Sequence, residues 1–120
     1  MKRPFIYHKT VQKQAMESPV KKVTLHEAAE KMKQMDRYYL VDVRDEMEYI
    51  TGHARGSILF PVNTINAQTA AEILPDKEVP VFVYCRSGAR SKRAALILAA
   101  LKYRDVFDMG SLAGWTDMEY

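Results

Sequence analysis

A chain of 120 residues, 48% apolar and 28% charged, has the length and balance of one soluble domain that can bury a core without disulfides or a structural metal. Its formal charge of +3 is mildly basic and comes without a clustered basic face or aromatic motif, which argues against a nucleic-acid partner and favours small anions. Its one cysteine, Cys85, excludes an intramolecular disulfide and a cysteine-built zinc site, and fits a reducing, cytoplasmic setting.

No apolar run approaches the ~18 residues of a spanning helix, so no membrane partner is expected. The longest run, Ala94 to Leu101, reads as a buried helix. The start of the chain is basic, with Lys2, Arg3, Lys9 and Lys13, and has no apolar core of a secretory signal. Residues 1–18 read as a polar N-terminal extension closed by Pro19, and residues 19–120 as one domain.

From Pro19 onward, strand-like and helix-like patterns alternate. Val20 to Val23 is a short strand. Thr24 followed by Glu27 is a capping box that opens a helix to about Met35, with Leu25, Ala28, Ala29 and Met32 on its inner face. Tyr39 to Val43 is a buried strand. Asp45 caps a short helix through Tyr49, and Gly52 ends it. Ser57 to Phe60 is a strand stopped by Pro61, and Asn63 or Thr64 opens a helix ending near Leu74. Val81 to Tyr84 is the most strand-like run in the chain, and Cys85 to Arg90 is the loop after it. Ser91 to Leu101 is a helix, Asp105 to Asp108 a strand, and Leu112 to Met118 a last helix. This alternation predicts an α/β fold with a parallel sheet between two helical layers.

The central segment carries the chemistry. A buried strand delivers Cys85 to the carboxyl edge of the sheet, where open α/β folds place their sites. The loop Cys85-Arg86-Ser87-Gly88-Ala89-Arg90 then runs directly into a helix. Its N–H groups are expected to turn inward around the sulfur, the helix start adds partial positive charge, and Arg86 and Arg90 add full charges. Gly88 permits a positive φ in the tight turn. Each of these favours a thiolate, a persulfide anion or an anionic substrate in one cradle. The ordinary alternative is a buried structural cysteine.

Four motifs in register resemble the rhodanese family across about residues 20 to 118. They are Leu40-Val41-Asp42-Val43-Arg44; Glu48-Tyr49 with Gly52-His53-Ala54-Arg55-Gly56-Ser57; Cys85-Arg86-Ser87-Gly88-Ala89-Arg90-Ser91; and Gly110 to Trp115. Against the family pattern, Ala54 stands for isoleucine, Ser57 for alanine and Ser111 for the second glycine. The resemblance implies a rhodanese-like three-layer α/β/α domain with a five-stranded parallel sheet in order 1-5-4-2-3. It also implies a sulfurtransferase in which Cys85 takes sulfane sulfur from a donor such as thiosulfate, becomes a persulfide, and passes the sulfur to cyanide or a thiol. The partners are then a small anionic sulfur donor and a small or protein thiol acceptor. The rival readings are a persulfide carrier loaded by another protein, and a non-catalytic interaction domain.

In that reading Cys85 is the nucleophile, and Arg86, Ser87, Gly88, Ala89, Arg90 and Ser91 hold the substrate. Arg86 suits a dianionic donor. Arg90 either faces the sulfur or pairs with an acid that orders the loop. Ser91 either donates to the persulfide or caps the helix. Asp42 and Arg44 support the site: Asp42 buttresses the loop, and Arg44 forms an internal salt bridge, with Glu48 for instance. His8, His26 and His53 lack metal-ligand spacing, and neither metal nor cofactor is called for. Trp115 reads as core, and Met109 to Leu112 as a rim to the site. Cysteine phosphatases of related form place five residues between Cys and Arg. Here four lie between Cys85 and Arg90, which suits one sulfur atom better than a phosphate, so negligible phosphatase activity is expected.

Overall fold

The computed structural model describes residues 19–120; the expected extension over residues 1–18 lies outside the described residues. In chain order the elements are β1 (Val20–Lys22), α1 (Leu25–Lys33), β2 (Tyr39–Asp42), α2 (Glu46–Thr51), β3 (His53–Ala54), β4 (Ile58–Leu59), α3 (Ala67–Ile73), β5 (Val81–Cys85), α4 (Ala89–Ala100), β6 (Val106–Ser111) and β7 (Met118–Glu119). A single 3-10 turn, Val62–Thr64, links β4 to α3.

Five strands form one parallel sheet in the order β1-β6-β5-β2-β4. Numbered among themselves, these are strands 1-5-4-2-3, as the resemblance implies. The central strand β5 is buried along its whole length, as parallel sheets covered on both faces require. Its alternation decides the layers. Val81, Val83 and Cys85 join Val41, Val43 and Val106 on the face covered by Ala70 and Leu74 at α3 and by Ala94, Ala95 and Leu98 of α4. Phe82 and Tyr84 join Leu40, Phe107 and Met109 on the other face, beneath Ala28 and Met32 of α1.

Local chemistry sets the helix starts. Thr24 and Glu27, Asp45 and Glu48, and Asn66 and Thr69 each form reciprocal capping boxes. The third pair corrects the sequence expectation for α3: the helix opens at Asn66, because Pro61 to Thr64 is consumed by the 3-10 turn. α4 begins at Ala89, two residues before the expected Ser91, with Gly88 as its N-cap.

The expected last helix is absent. Gly114 adopts φ +99°, which a helix does not accommodate, and the chain turns to form β7, antiparallel to β3. β6 outruns its expected end at Asp108. A register shift opposite Val83/Tyr84 lets it continue beside Tyr84 and Cys85, with Gly110 and Ser111 as their partners.

Candidate active site

Cys85 is the last residue of the central strand and the first of the turn into α4. Its side chain lies in the α4 layer and has no solvent-exposed surface. The Gly88 N–H donates to Sγ at 2.9 Å and the Ser91 N–H at 3.3 Å. Gly88 reaches that position at φ +103°, a conformation glycine adopts without a Cβ penalty. Burial, the largest single influence on the thiol, pushes its pKa up. The N–H and hydroxyl of Ser91, with the N–H groups of Gly88 and Ser87, outweigh it and hold Cys85 below the ordinary thiol value.

Ser91 is not the helix cap. It is the third residue of α4, fully buried, and its hydroxyl donates to the Gly88 carbonyl at 3.1 Å. The same residue thus closes the turn with its side chain and holds the sulfur with its main chain. Ser87, Ala89 and Arg86 are exposed at the mouth.

Of the two positions open to Arg90, the structure shows the acid-paired one. Its guanidinium meets Glu48 of α2 in a fork, Nη1 to Oε1 at 2.7 Å and Nη2 to Oε2 at 3.0 Å. Glu48 also accepts the Asp45 N–H at 3.1 Å in its capping box. One carboxylate therefore fixes the start of α2 and the start of α4. The Arg90 bond is the largest influence on Glu48, whose pKa falls to about 2.

Arg44 is paired, as expected, but with Asp42 rather than Glu48. Arg44 Nε and Nη2 donate to the fully buried Asp42 carboxylate at 2.7–3.1 Å, and Nη2 also donates to the Gly52 carbonyl at 2.7 Å. Two residues apart, the side chains of 42 and 44 fold over the strand end, and the Arg44 N–H itself donates to Asp42. Glu48 is out of this pair because Arg90 engages both its oxygens. Among the described residues, the hydrogen bonds of the Asp42 side chain go to Arg44 and Tyr84 and none reaches the loop. Asp42 accepts the Tyr84 hydroxyl at 2.7 Å, and Tyr84 immediately precedes Cys85 on the opposite face of the sheet.

Residues 24–118 match the rhodanese-like domain family. The chain belongs to that family. It is 33% identical over 102 residues to the thiosulfate sulfurtransferase GlpE of Haemophilus influenzae, covering 84% of this chain and 92% of that protein. It is 35% identical over 72 residues to the thiosulfate sulfurtransferase PspE of Escherichia coli, covering 60% and 68%. A solved structure described as rhodanese with anions from E. coli superposes with a TM-score of 0.60 at 28% identity, over 68% of this chain and 96% of that one.

In this rhodanese-like domain the expected rim, Met109 to Leu112, divides: Ser111 is the register partner of Cys85 and the Leu112 N–H donates to the Cys85 carbonyl at 3.1 Å, but the Met109 and Leu112 side chains are buried in the core on the α1 face of the sheet. Trp115 lies elsewhere. With Leu25, Ala29 and Met32 it lines a groove of about 370 Å³ along α1 whose walls include no residue of the Cys85 loop. His53 stacks on Tyr49 and bonds its carbonyl at 2.8 Å, a structural role. Sequence reasoning missed Glu48 as the partner of Arg90. Its position three residues after Asp45 marks it as a cap, and that signal hides the second task.

Two pH dependences follow. Alkylation of the folded protein by iodoacetamide is expected to reach its plateau at a lower pH than alkylation of the urea-unfolded chain, because the folded-state pKa of Cys85 is lowered. Coincident profiles would show that the amides do not hold a thiolate. For Glu48 the folded pKa is also lowered. Its contribution to stability is therefore full above the ordinary glutamate pKa and is lost as pH falls towards about 2. Glu48→Gln should flatten that acid limb in urea unfolding followed against pH, and an unchanged limb would remove the pair from the stability account.

Proposed function

We propose that this rhodanese-like domain is a sulfurtransferase, moving sulfane sulfur from thiosulfate or a similar donor to cyanide or a thiol through a Cys85 persulfide. The observation that carries the reading is the convergence of the Gly88 and Ser91 N–H groups on Sγ at the start of a twelve-residue helix. That cradle stabilises a sulfur anion without a neighbouring base. The names of the GlpE and PspE relatives agree with it.

The Cys85 thiolate attacks the outer sulfur of thiosulfate. The sulfur–sulfur bond of the donor breaks and sulfite leaves with the electron pair. The new terminal sulfur of the persulfide carries the negative charge and takes the place of the thiolate near the same amides. Cyanide then attacks that terminal sulfur, thiocyanate leaves, and the Cys85 thiolate returns. Gly88, Ser91, Ser87 and Ala89 hold the anion by main-chain contact and shape. Arg90, tied to Glu48, keeps the loop closed and contributes its charge from the side. The cradle favours the thiolate over the thiol, so this reading assigns no His or carboxylate as a base.

Arg86 is exposed and has no hydrogen-bond or ion-pair partner among the described residues, which leaves its charge available to a donor at the mouth. Arg86→Ala is expected to raise the thiosulfate KM by roughly tenfold, the scale of one charge-assisted contact, with little change in kcat. An unaltered KM in the cyanide assay would take Arg86 out of donor binding. No described helix is long and apolar enough to cross a membrane. The free cysteine suits a reducing compartment, and on that ground alone we place this chemistry in the cytoplasm.

The test of the reading is intact-protein mass spectrometry after thiosulfate treatment. A gain of one sulfur atom on Cys85, removed by cyanide, is expected. A thiol that takes sulfur only from a protein persulfide would make the domain a carrier. No adduct from either source would leave an interaction domain.

A further inference from the structure

The sequence shows no clustered basic face, but the fold brings cations that lie far apart along the chain to the carboxyl edge of the sheet. Lys22 ends β1, at one border of the sheet. Its side chain is 69% exposed, its ammonium lies 3.7 Å from the buried Asp108 carboxylate, and it stands beside Gly110, where a Cβ would come within 3.3 Å of it. Arg86 follows the central strand. Lys92 and Arg93 lie on the exposed side of the first turns of α4. Arg93 reaches Asn63, beyond β4 at the opposite border, at 3.1 Å. Lys92 has no hydrogen-bond or ion-pair partner among the described residues, and the partner of Arg93 is neutral.

Two physical points make this arrangement informative. Cations at the start of a helix oppose its dipole, and the first turn of α4 holds no acid; local stability does not explain Lys92 and Arg93. The exposed acids of the same edge, Asp45 and Glu46, sit at the start of α2, where the dipole favours them. The second point is reach. Five strands about 4.8 Å apart span roughly 19 Å from border to border, so no thiosulfate-sized anion bridges Lys22 and Arg93. Leu96, 55% exposed, follows Lys92 and Arg93 on the outer side of α4 and adds an apolar contact, whereas the exposed aromatics among the described residues, Tyr38 and Tyr120, lie outside α4.

We propose that Lys22, Arg86, Lys92, Arg93 and Leu96 form a docking surface for an acidic protein partner, one that presents a thiol or persulfide to Cys85. The surface places carboxylates over the cations on either side of the loop and an apolar side chain over Leu96. The inference rests on the sulfurtransferase reading only for what passes between the partners; the docking itself is measured without sulfur.

The test uses the full chain and fluorescence anisotropy with three labelled probes of equal length: a peptide rich in Glu and Asp around a central leucine, its Gln/Asn counterpart, and a single-stranded RNA. The acidic peptide is expected to bind at least tenfold more tightly than the neutral one at low salt, with the difference shrinking as sodium chloride is added. Lys22→Gln/Lys92→Gln/Arg93→Gln should remove most of that advantage. Lys77→Gln/Lys102→Gln/Arg104→Gln, with the same charge change at the opposite edge of the sheet, should keep it. Equal effects of the two triple variants, equal binding of the acidic and neutral peptides, or tighter binding of RNA would each overturn the proposal. Sulfur uptake from thiosulfate should survive the first triple variant within about twofold. A chain that binds the acidic peptide yet takes up no sulfur would sink the sulfurtransferase reading and leave the docking surface standing.

Discussion

Cys85→Ser should abolish sulfur uptake from thiosulfate and cut cyanide-dependent turnover by a factor on the order of 10³ or more. The reason is chemical rather than structural. A serine hydroxyl at residue 85 still accepts the Gly88 and Ser91 N–H groups that now meet Sγ at 2.9 and 3.3 Å, so the turn into α4 keeps its hydrogen bonds. What is lost is ionisation. The amides that lower the thiol pKa cannot ionise an alcohol near neutral pH, and a seryl oxygen does not accept and return sulfane sulfur. Thermal unfolding should therefore shift by only a few degrees while activity disappears. Turnover that survives within tenfold of the parent would place the sulfur on some other group and end the persulfide mechanism. A large loss of stability would show instead that Cys85 matters chiefly to the core around Val83, Ala94 and Leu98.

The elements that the sequence disclosed most clearly are those where one local rule acts alone. The apolar run at Val81–Tyr84 reads as a covered strand, and the capping box at Thr24 and the cap at Asp45 name their helix starts. The turn that holds Cys85 was legible for a similar reason: a buried strand, a glycine with positive φ and a helix lie in one continuous segment. Where two rules compete, the reading slipped. Asn63 and Thr64 have cap chemistry but follow Pro61, and the backbone spends them on a 3-10 turn before Asn66 caps α3. The last strand, β7, has two residues and exists through pairing with β3, a contact between segments more than sixty residues apart that no local pattern announces. The partners of Arg44 and Arg90 slipped in the same way. Asp42, Asp45 and Glu48 all lie within reach along the chain, and only the fold decides that the strand-end pair closes on itself while Glu48 crosses to the loop.

Asp42→Ala should cost about 3–5 kcal/mol of folding stability, the scale on which a buried ion pair fails when one partner is removed. Asp42 is fully buried, and the Arg44 side chain is only 12% exposed. The truncation would leave the guanidinium with the Gly52 carbonyl alone and the Tyr84 hydroxyl without its acceptor. That hydroxyl also receives the Ala54 N–H at 3.1 Å and lies 3.1 Å from the Ser57 hydroxyl, so the damage spreads across β2, β5 and the β3–β4 turn. Urea unfolding measures the loss directly, as a lower midpoint at unchanged slope. A domain of this size holds about 5–15 kcal/mol in all, so the variant could unfold outright. Asp42→Ala/Arg44→Met separates the causes, because it removes the charge as well as its partner and should recover part of the loss. Tyr84→Phe, which deletes one hydroxyl and leaves the ion pair whole, should cost a smaller 1–3 kcal/mol. An Asp42→Ala midpoint indistinguishable from the parent would mean that solvent reaches Arg44 freely. Where the double variant is folded, its turnover reports on aim: Asp42 holds Tyr84, Tyr84 adjoins Cys85, and a fall in kcat beyond the folded fraction measures how far that strand end positions the sulfur.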